Sequence, residues 1–287
     1  MMKRFAVIGH PLGHSLSPLM HNTAFQILGL NHHYEAFDLE ADALKSSVER
    51  FRDPLWGGFN ITTPYKEAVI PLIDEMSLEA RTIGSVNTVT NRNGTLFGIN
   101  TDMLGLQQSL EPVRAEIDGK NCLLLGSGGA ARTAAFVLVR LFHPHMLTLA
   151  VRSPERAHSI KHNLLSCETG IDISPVSGEK FEEALQSSTL IVNATTVGMY
   201  PNDSESPLHR HQLLTSKHIV FDLIYRPLTT RLLYAAHACG ARTIDGLEMF
   251  LHQGAAAFQL WTGMEMPVSP VRQLLEQTLR LETPTHV

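Results

Sequence analysis

The sequence predicts an α/β protein of two domains. Three observations predict it. Short apolar runs alternate with helix-forming runs along nearly the whole chain, a glycine-rich turn joins one such strand to one such helix near the middle, and 287 residues suffice for two domains of ordinary size. The N-terminal part reads as a mostly parallel α/β substrate domain. The part that follows the glycine turn reads as a doubly wound Rossmann domain, with a cleft expected between the two.

The elements follow in order. Phe5-Ala6-Val7-Ile8 is a short apolar run and reads as a buried strand. After a loop, Ser17-Pro18 reads as an N-cap followed by proline in the first turn of a helix that stops at Gly29. A strand over 33–38, a helix over 41–51, a short strand over 58–61 and a helix over 64–73 come next, then a helical stretch over 77–83. Two strand runs, 86–91 and 95–98, flank Asn93-Gly94, the pair that a type I′ hairpin favours. Alternation of this kind predicts helices on both faces of the sheet, and the hairpin adds an antiparallel edge. A helix over 102–110 leaves the domain, and Glu111-Pro112 marks the crossing.

In the second half Asn121 to Leu125 is a strand that ends in Gly126-Ser127-Gly128-Gly129-Ala130-Ala131. A helix over 130–142 starts at once. The pattern is G-x-G-x-x-A. Gly126 permits the tight turn, Gly128 admits a pyrophosphate close to the backbone, and Ala131 lets the helix pack near its strand. The N–H groups at the helix start then face the anion. Such turns also occur wherever a strand meets a helix closely; the strand before this one and the helix after it favour the dinucleotide reading. Strands over 146–151, 171–176, 190–193, 219–222 and 242–244 complete about six, with helices over 154–165, 181–185 and 229–239. An amphipathic helix over 246–258, a last helix over 269–281 and a loose tail from 282 end the chain.

The strand over 146–151 ends near Arg152 rather than at Asp or Glu. An acid there grips the ribose hydroxyls of NAD; an arginine suits the 2′-phosphate of NADP, with Arg132 and Arg156 as possible companions. NADP is therefore the expected cofactor, a solvated surface arginine being the alternative. With 44% hydrophobic and 18% charged residues, the composition is that of a globular protein, and the net charge of −5 without a basic block argues against nucleic acid or a polybasic membrane anchor. No apolar run is long enough to span a bilayer, and the N-terminus lacks a signal-peptide core. Three scattered cysteines, Cys122, Cys167 and Cys239, suit a reducing, cytoplasmic compartment. Fifteen histidines occur without metal-ligand spacing, so no metal is expected.

Four polar clusters fall at loop ends, where sites are usually built. They are Gly9-His10-Pro11-Leu12-Gly13-His14-Ser15-Leu16-Ser17-Pro18 with His21-Asn22; Asn60-Ile61-Thr62-Thr63-Pro64-Tyr65-Lys66; Gly84-Ser85-Val86-Asn87-Thr88; and Gly98-Ile99-Asn100-Thr101-Asp102. They offer hydroxyls, amides, one lysine and one aspartate. That set suits a small oxygen-rich substrate and proton transfer rather than covalent catalysis. In order and spacing these clusters resemble the shikimate dehydrogenase family, and the similarity continues through the Gly126 turn to the C-terminus.

The resemblance implies reversible NADPH-dependent reduction of 3-dehydroshikimate to shikimate, on the route to chorismate and the aromatic amino acids. It implies that Ser15 and Ser17 hold the substrate carboxylate, that Thr62, Asn87 and Asp102 contact ring hydroxyls, and that Lys66 transfers the proton, paired with Asp102. Taken singly, Lys66 reads equally as an exposed lysine and Asp102 as an N-cap. Asp222-x-x-Tyr225-x-Pro227 is similar to a motif beside the nicotinamide, with Tyr225 and Gln253 reaching the substrate. Gly126, Ser127, Gly128, Gly129, Ala130, Arg152, Ser153, Arg156, Thr195, Gly246 and Met249 are implied for the cofactor. Two departures stand out. Val151 replaces the family's asparagine, which removes one polar contact, and Gly254 stands where alanine is commoner, with little consequence expected. The implied domains are 1–110, with a C-terminal helix (268–287) packing back, and 111–267, in a monomer or homodimer. A quinate/shikimate dehydrogenase with relaxed cofactor use and a non-catalytic NADP-binding regulator are the alternatives. A folate or glutamyl-tRNA reductase-like protein would share the cofactor domain without accounting for the serine pair.

Overall fold

The computed structural model describes residues 2–13, 15–164 and 168–282. His14 of the first polar cluster, Cys167, the last residue of the helix expected over 154–165 and the tail from 283 lie outside the described residues. The chain forms two compact units, one of Met1–Asp102 with Leu251–Val287 and one of Met103–Phe250. The expected division fell at 110/111 and 267/268. Residues 103–110 sort with the second unit because Leu106 and Leu110 are buried in its core. The end of the 246–258 helix sorts with the first because Phe258 and Trp261 pack on Phe25 and Phe5.

The first unit begins with β1 (Arg4–Gly9), α1 (Ser17–Ile27), β2 (His33–Asp38), α2 (Leu44–Arg50) and β3 (Trp56–Ile61). It continues with β4 (Glu75–Met76), α3 (Leu78–Ile83), β5 (Thr88–Arg92) and β6 (Thr95–Ile99). The sheet order is β2-β1-β3-β5-β6-β4. β1 runs parallel to β2 and β3, while β5 is antiparallel to β3 and β6. Alternation along β1 sends Ala6 and Ile8 to one face, against Leu44 and Val48, and Phe5 toward Phe25 and Trp261. Both faces are therefore covered, which is why the strand reads as unbroken apolar sequence. Asn93 (φ 55°) and Gly94 (φ 96°) take the left-handed pair of angles that the hairpin turn requires.

Two local expectations are corrected, and one short strand is new. Ser17 is the first helical residue, not the cap: Leu16 occupies the cap position, and the Ser17 N–H is taken instead by Ser15 Oγ at 3.3 Å. The segment 64–73 is a series of turns ending in a 3-10 turn, Ile70–Leu72, rather than a helix. Pro64 and Pro71 supply no N–H, and the bonds here are mostly of three-residue reach, as in Tyr65 N–H to Thr62 O and Ile70 N–H to Glu67 O, with Val69 N–H to Tyr65 O of four-residue reach. β4 was not foreseen; two residues carry no readable period.

The second unit follows α4 (Asp102–Leu110) and α5 (Arg114–Ile117) with β7 (Asn121–Leu125), α6 (Gly129–Val137), β8 (Met146–Ala150), α7 (Pro154–Asn163) and β9 (Gly170–Ser174). Then come α8 (Glu179–Ser187), β10 (Leu190–Asn193), β11 (Ile219–Asp222), α9 (Arg231–Ala238) and β12 (Arg242–Ile244). α10 (Leu247–Thr262) crosses the division and α11 (Val268–Glu282) closes the described chain. The sheet is wholly parallel, in the order β12-β11-β10-β7-β8-β9. Cys122, Leu124, Val192 and Phe221 face α4, α6 and α7. Leu123, Leu125, Ile191 and Val220 face α8 and α9. The order reverses between β7 and β10, so a crevice for a ligand opens at their carboxyl ends. The α6 run extends into a π-helical turn, Leu138–Phe142, before His143 turns left-handed.

Candidate active site

In the first unit three loop ends and one helix supply the polar groups. The turn after β3 carries Lys66, the residue before β5 is Asn87, Asp102 opens α4, and Gln253 lies on α10. Lys66 Nζ donates to Asp102 Oδ2 at 2.6 Å. Asn87 Nδ2 donates to the other oxygen, Oδ1, at 2.8 Å and to Thr101 Oγ1 at 3.0 Å. The lysine and aspartate side chains are only 14% and 6% exposed, so bulk water screens their attraction little. The amide orientation of Asn87 is fixed, because its Oδ1 accepts the Thr101 backbone N–H at 2.7 Å. That leaves the Asn87 amine to face the carboxylate. Gln253 Oε1 lies 3.5 Å from the same amine, a weaker third contact.

Beneath this pair runs a buried chain of hydrogen bonds that sequence reasoning did not assign. Tyr34 OH donates to Asn60 Oδ1 at 2.6 Å. Asn60 Nδ2 donates to Thr88 Oγ1 at 2.9 Å and to the Asn87 carbonyl at 3.2 Å. Thr88 Oγ1 and Thr101 Oγ1 are 2.9 Å apart. Asn60, Thr88 and Thr101 stood in the polar clusters; Tyr34 gave no signal beyond that of a strand aromatic. The turn bearing Lys66 is tied to the segment before β5 by the Val86 N–H, which donates to the Lys66 carbonyl at 2.9 Å.

Ser15 and Thr62 sit on neighbouring loops at the carboxyl ends of β1 and β3, and Ser17 opens α1 just after the first of them. The Ser15 N–H donates to Leu12 O at 3.0 Å, Thr62 N–H donates to Ile8 O at 2.9 Å and His10 N–H donates to Thr63 O at 3.0 Å. The two loops are thus stitched together. The Lys66–Asp102 network is bonded through Asn87 and Thr101, and Thr62 O accepts the Tyr65 N–H at 2.9 Å within the turn that carries Lys66. Tyr225 belongs to the second unit, where it stacks on Phe250 at 4.2 Å.

In the second unit the glycine turn fits a dinucleotide. Gly126 has φ 116°, and a Cβ there would approach Ala194 O to 3.1 Å. A Cβ on Gly128 would project into open space at the start of α6. A side chain at that point would fill the approach to the helix N-terminus, so the backbone cradle suits a pyrophosphate. Ser127, Gly129 and Ala130 are half-buried around it, and Ala131 is fully buried against the sheet.

Arg152 and Arg156 are exposed just beyond β8, and Ser153 donates to Glu155. That bond holds the Glu155 carboxyl below its usual range. Val151 is buried in the core, its N–H donating to Ser174 O at 3.0 Å. Apolar burial therefore fills the place of the expected asparagine. Thr195 Oγ1 donates to Asn193 Oδ1 at 2.7 Å and anchors the loop after β10. Asn193 Nδ2 in turn donates to Asp222 Oδ1 at 2.9 Å, and Thr230 Oγ1 donates to Asp222 Oδ2 at 2.7 Å. Burial pushes the Asp222 carboxyl up to about 6, opposed by the bonds from Thr230, Ile224 and Asn193. The Gly246 N–H donates to Ile224 O at 3.1 Å, and Met249 is buried in the core beside Gly105.

Among the described residues no cluster of three or more His, Cys, Asp or Glu could hold a metal, and no helix is long and apolar enough to cross a membrane.

Comparison with known proteins fits this geometry. Residues 7–89 match the shikimate dehydrogenase substrate binding domain, and residues 246–276 match the shikimate 5'-dehydrogenase C-terminal domain. The chain is 41% identical over 283 residues to the shikimate dehydrogenase (NADP(+)) of Pelodictyon phaeoclathratiforme, covering 97% of this chain and 98% of that one. It is similar to shikimate 5-dehydrogenase from Thermus thermophilus in complex with NADP(H) and shikimate, at 39% identity and a TM-score of 0.83 over 96% of this chain and all (100%) of that one. The corresponding enzyme from Listeria monocytogenes, in complex with shikimate and NAD, gives 34% identity and a TM-score of 0.85 over 96% of each chain. With identity this high along nearly the full length of both chains, this protein belongs to the shikimate dehydrogenase family.

Proposed function

We propose that this protein reduces 3-dehydroshikimate to shikimate, reversibly, with NADP(H) as cofactor. The observation that carries the proposal is the Lys66–Asp102 pair, nearly buried and oriented by Asn87. When bound, NADPH supplies a hydride to the carbonyl carbon. The work of this chain's residues is to bind, orient and deliver a proton to the oxygen. Lys66 places an ammonium where charge develops on that oxygen and gives up its proton to it. Asp102 holds the ammonium in place and accepts from the substrate hydroxyl, while Asn87 fixes the carboxylate. Ser15 and Ser17 grip the substrate carboxylate through their hydroxyls, Thr62 contacts a ring hydroxyl, and Tyr225 and Gln253 complete the substrate's surroundings.

For the cofactor, the backbone of Gly126 to Ala130 holds the pyrophosphate, and Arg152, Ser153 and Arg156 hold the 2′-phosphate. The loop at Thr195, Gly246 and Met249 flank the nicotinamide side. The absorbance change of reduced nicotinamide, followed with shikimate and with quinate against NADP and against NAD, tests the reading. Rates highest with shikimate and NADP support it; absence of shikimate-dependent NADPH formation overturns it. Comparable rates with quinate or NAD favour the relaxed alternative, for which the NAD complex of the Listeria relative speaks.

A further inference from the structure

Asp38 ends β2 beside the first residues of the loop after β1. Gly9 and Asp38 are register partners, and the Leu39 N–H donates to Gly9 O at 3.0 Å. Both carboxylate oxygens of Asp38 are engaged by that loop. Oδ1 lies 2.6 Å from His10 Nδ1, and Oδ2 accepts the Leu12 N–H at 2.9 Å. The connection continues along the chain: Leu12 O accepts the Ser15 N–H at 3.0 Å, and Ser15 Oγ accepts the Ser17 N–H at 3.3 Å. Two steps of hydrogen bonding therefore separate Asp38 from the first serine of the pair. The following residue, Leu39, accepts at its carbonyl from Tyr65 OH, next to Lys66.

We propose that Asp38 is a positioning residue for substrate binding, which together with His10 fixes the turn that presents Ser15 and Ser17 to the substrate carboxylate. The inference rests on the reading that those two hydroxyls grip the carboxylate. Asp38 touches no substrate; it acts through Leu12. The charged and titratable groups facing the pair are Glu40, whose Oε1 is 3.6 Å from His10 Nε2, and Tyr65 from the turn after β3, which lies within the field of Asp38, Glu40 and Asp42. The bond to Asp38, with Glu40 beside it, holds His10 above its usual value of 6.5. The Leu12 N–H and His10 hold Asp38 below the usual carboxylate range. The sign follows. The ionic part of the pair is complete below the raised His10 value and is lost as pH rises through it, while a neutral imidazole still donates Nδ1–H to Oδ1, so the grip on a carboxylate substrate weakens modestly toward alkaline pH.

Steady-state kinetics of the full chain, with shikimate varied at saturating NADP from about pH 6 to about pH 9, test this in the wild type, D38A, H10Q and S15A. D38A is expected to raise the shikimate KM about 5- to 20-fold with kcat changed less than about twofold, the usual worth of a hydrogen bond to a charged group being discounted for exposure. The KM of the wild type rises with pH, and that of H10Q does not. A KM raised in S15A but unchanged in D38A overturns the positioning role alone; an unchanged KM in S15A overturns the serine reading and this inference with it. If circular dichroism shows D38A unfolded, D38N takes its place, since it keeps an acceptor for Leu12 without the charge. Its KM should be pH-independent and equal to the alkaline wild-type value, and a profile superimposable on the wild type overturns the proposal.

Discussion

Replacing Asp102 by asparagine changes one atom type and leaves the volume almost untouched, yet the site has no good place for the new amine. Oδ2 accepts from the Lys66 ammonium and Oδ1 accepts from the Asn87 amine. Asn87 cannot flip, because its own oxygen is held by the Thr101 N–H. Whichever way the introduced amide turns, one of its contacts becomes donor against donor. The lysine also loses its counter-charge at a position only 14% exposed. A hydrogen bond to a charged group contributes about 1.5–3 kcal/mol, and stripping the partner from a fully buried charge costs about 3–5 kcal/mol. With some water access to Lys66, a loss of about 2–3 kcal/mol of transition-state stabilisation is expected, or about 30- to 150-fold in kcat/KM. Initial rates of shikimate-dependent NADP reduction, with thermal unfolding measured alongside, give the comparison. A D102N enzyme that retains kcat/KM within about threefold of the wild type while folding normally would refute the reasoning.

Further outcomes follow from other parts of the molecule. Arg152→Asp should raise the KM for NADP at least about tenfold and that for NAD far less, because it places an acid at the proposed 2′-phosphate site; equal small effects would remove Arg152 from cofactor recognition. Gly254→Ala should lower the unfolding free energy by up to about 2 kcal/mol, since the added Cβ would come 2.7 Å from Sδ of the fully buried Met20, whose flexible end must shift, an effect offset in part by the better helix propensity of alanine. The double variant with Met20→Ala should recover part of that loss; an unchanged Tm for the single variant would show that the core absorbs the methyl freely. Asp222, raised from 3.8 to about 6 by burial, contributes stability that is complete below pH 3.8 and lost as pH rises through about 6. Denaturation of Asp222→Asn should lack that decline, and parallel pH profiles for variant and wild type would contradict it.

Much of this was legible in the residues because it depended on local rules. Asn93-Gly94 specifies its own turn, and Gly126-x-Gly128 specifies a strand-to-helix junction with an open approach. Other features depended on pairing. No periodicity indicates that Asn60 of β3 meets Thr88 of β5, or that Tyr34 from β2 caps that contact; sheet order brings them together. Prolines at 64 and 71 spoil a segment whose composition otherwise suits a helix. The crowding at Gly254 was not legible because Met20, which occupies the space a methyl would need, comes from α1, far away in the chain. Asp38 read only as the end of a strand, since its partners His10 and Leu12 lie across the neighbouring loop.

The central claim is that the Lys66 ammonium delivers the proton, and Lys66→Met tests it most directly because it keeps the length of the side chain and removes the charge. Steady-state kinetics of this variant should show kcat reduced by at least about 100-fold, within the range for loss of a general acid, with the shikimate KM within about threefold of the wild type. A kcat close to the wild-type value in the folded variant would contradict the account.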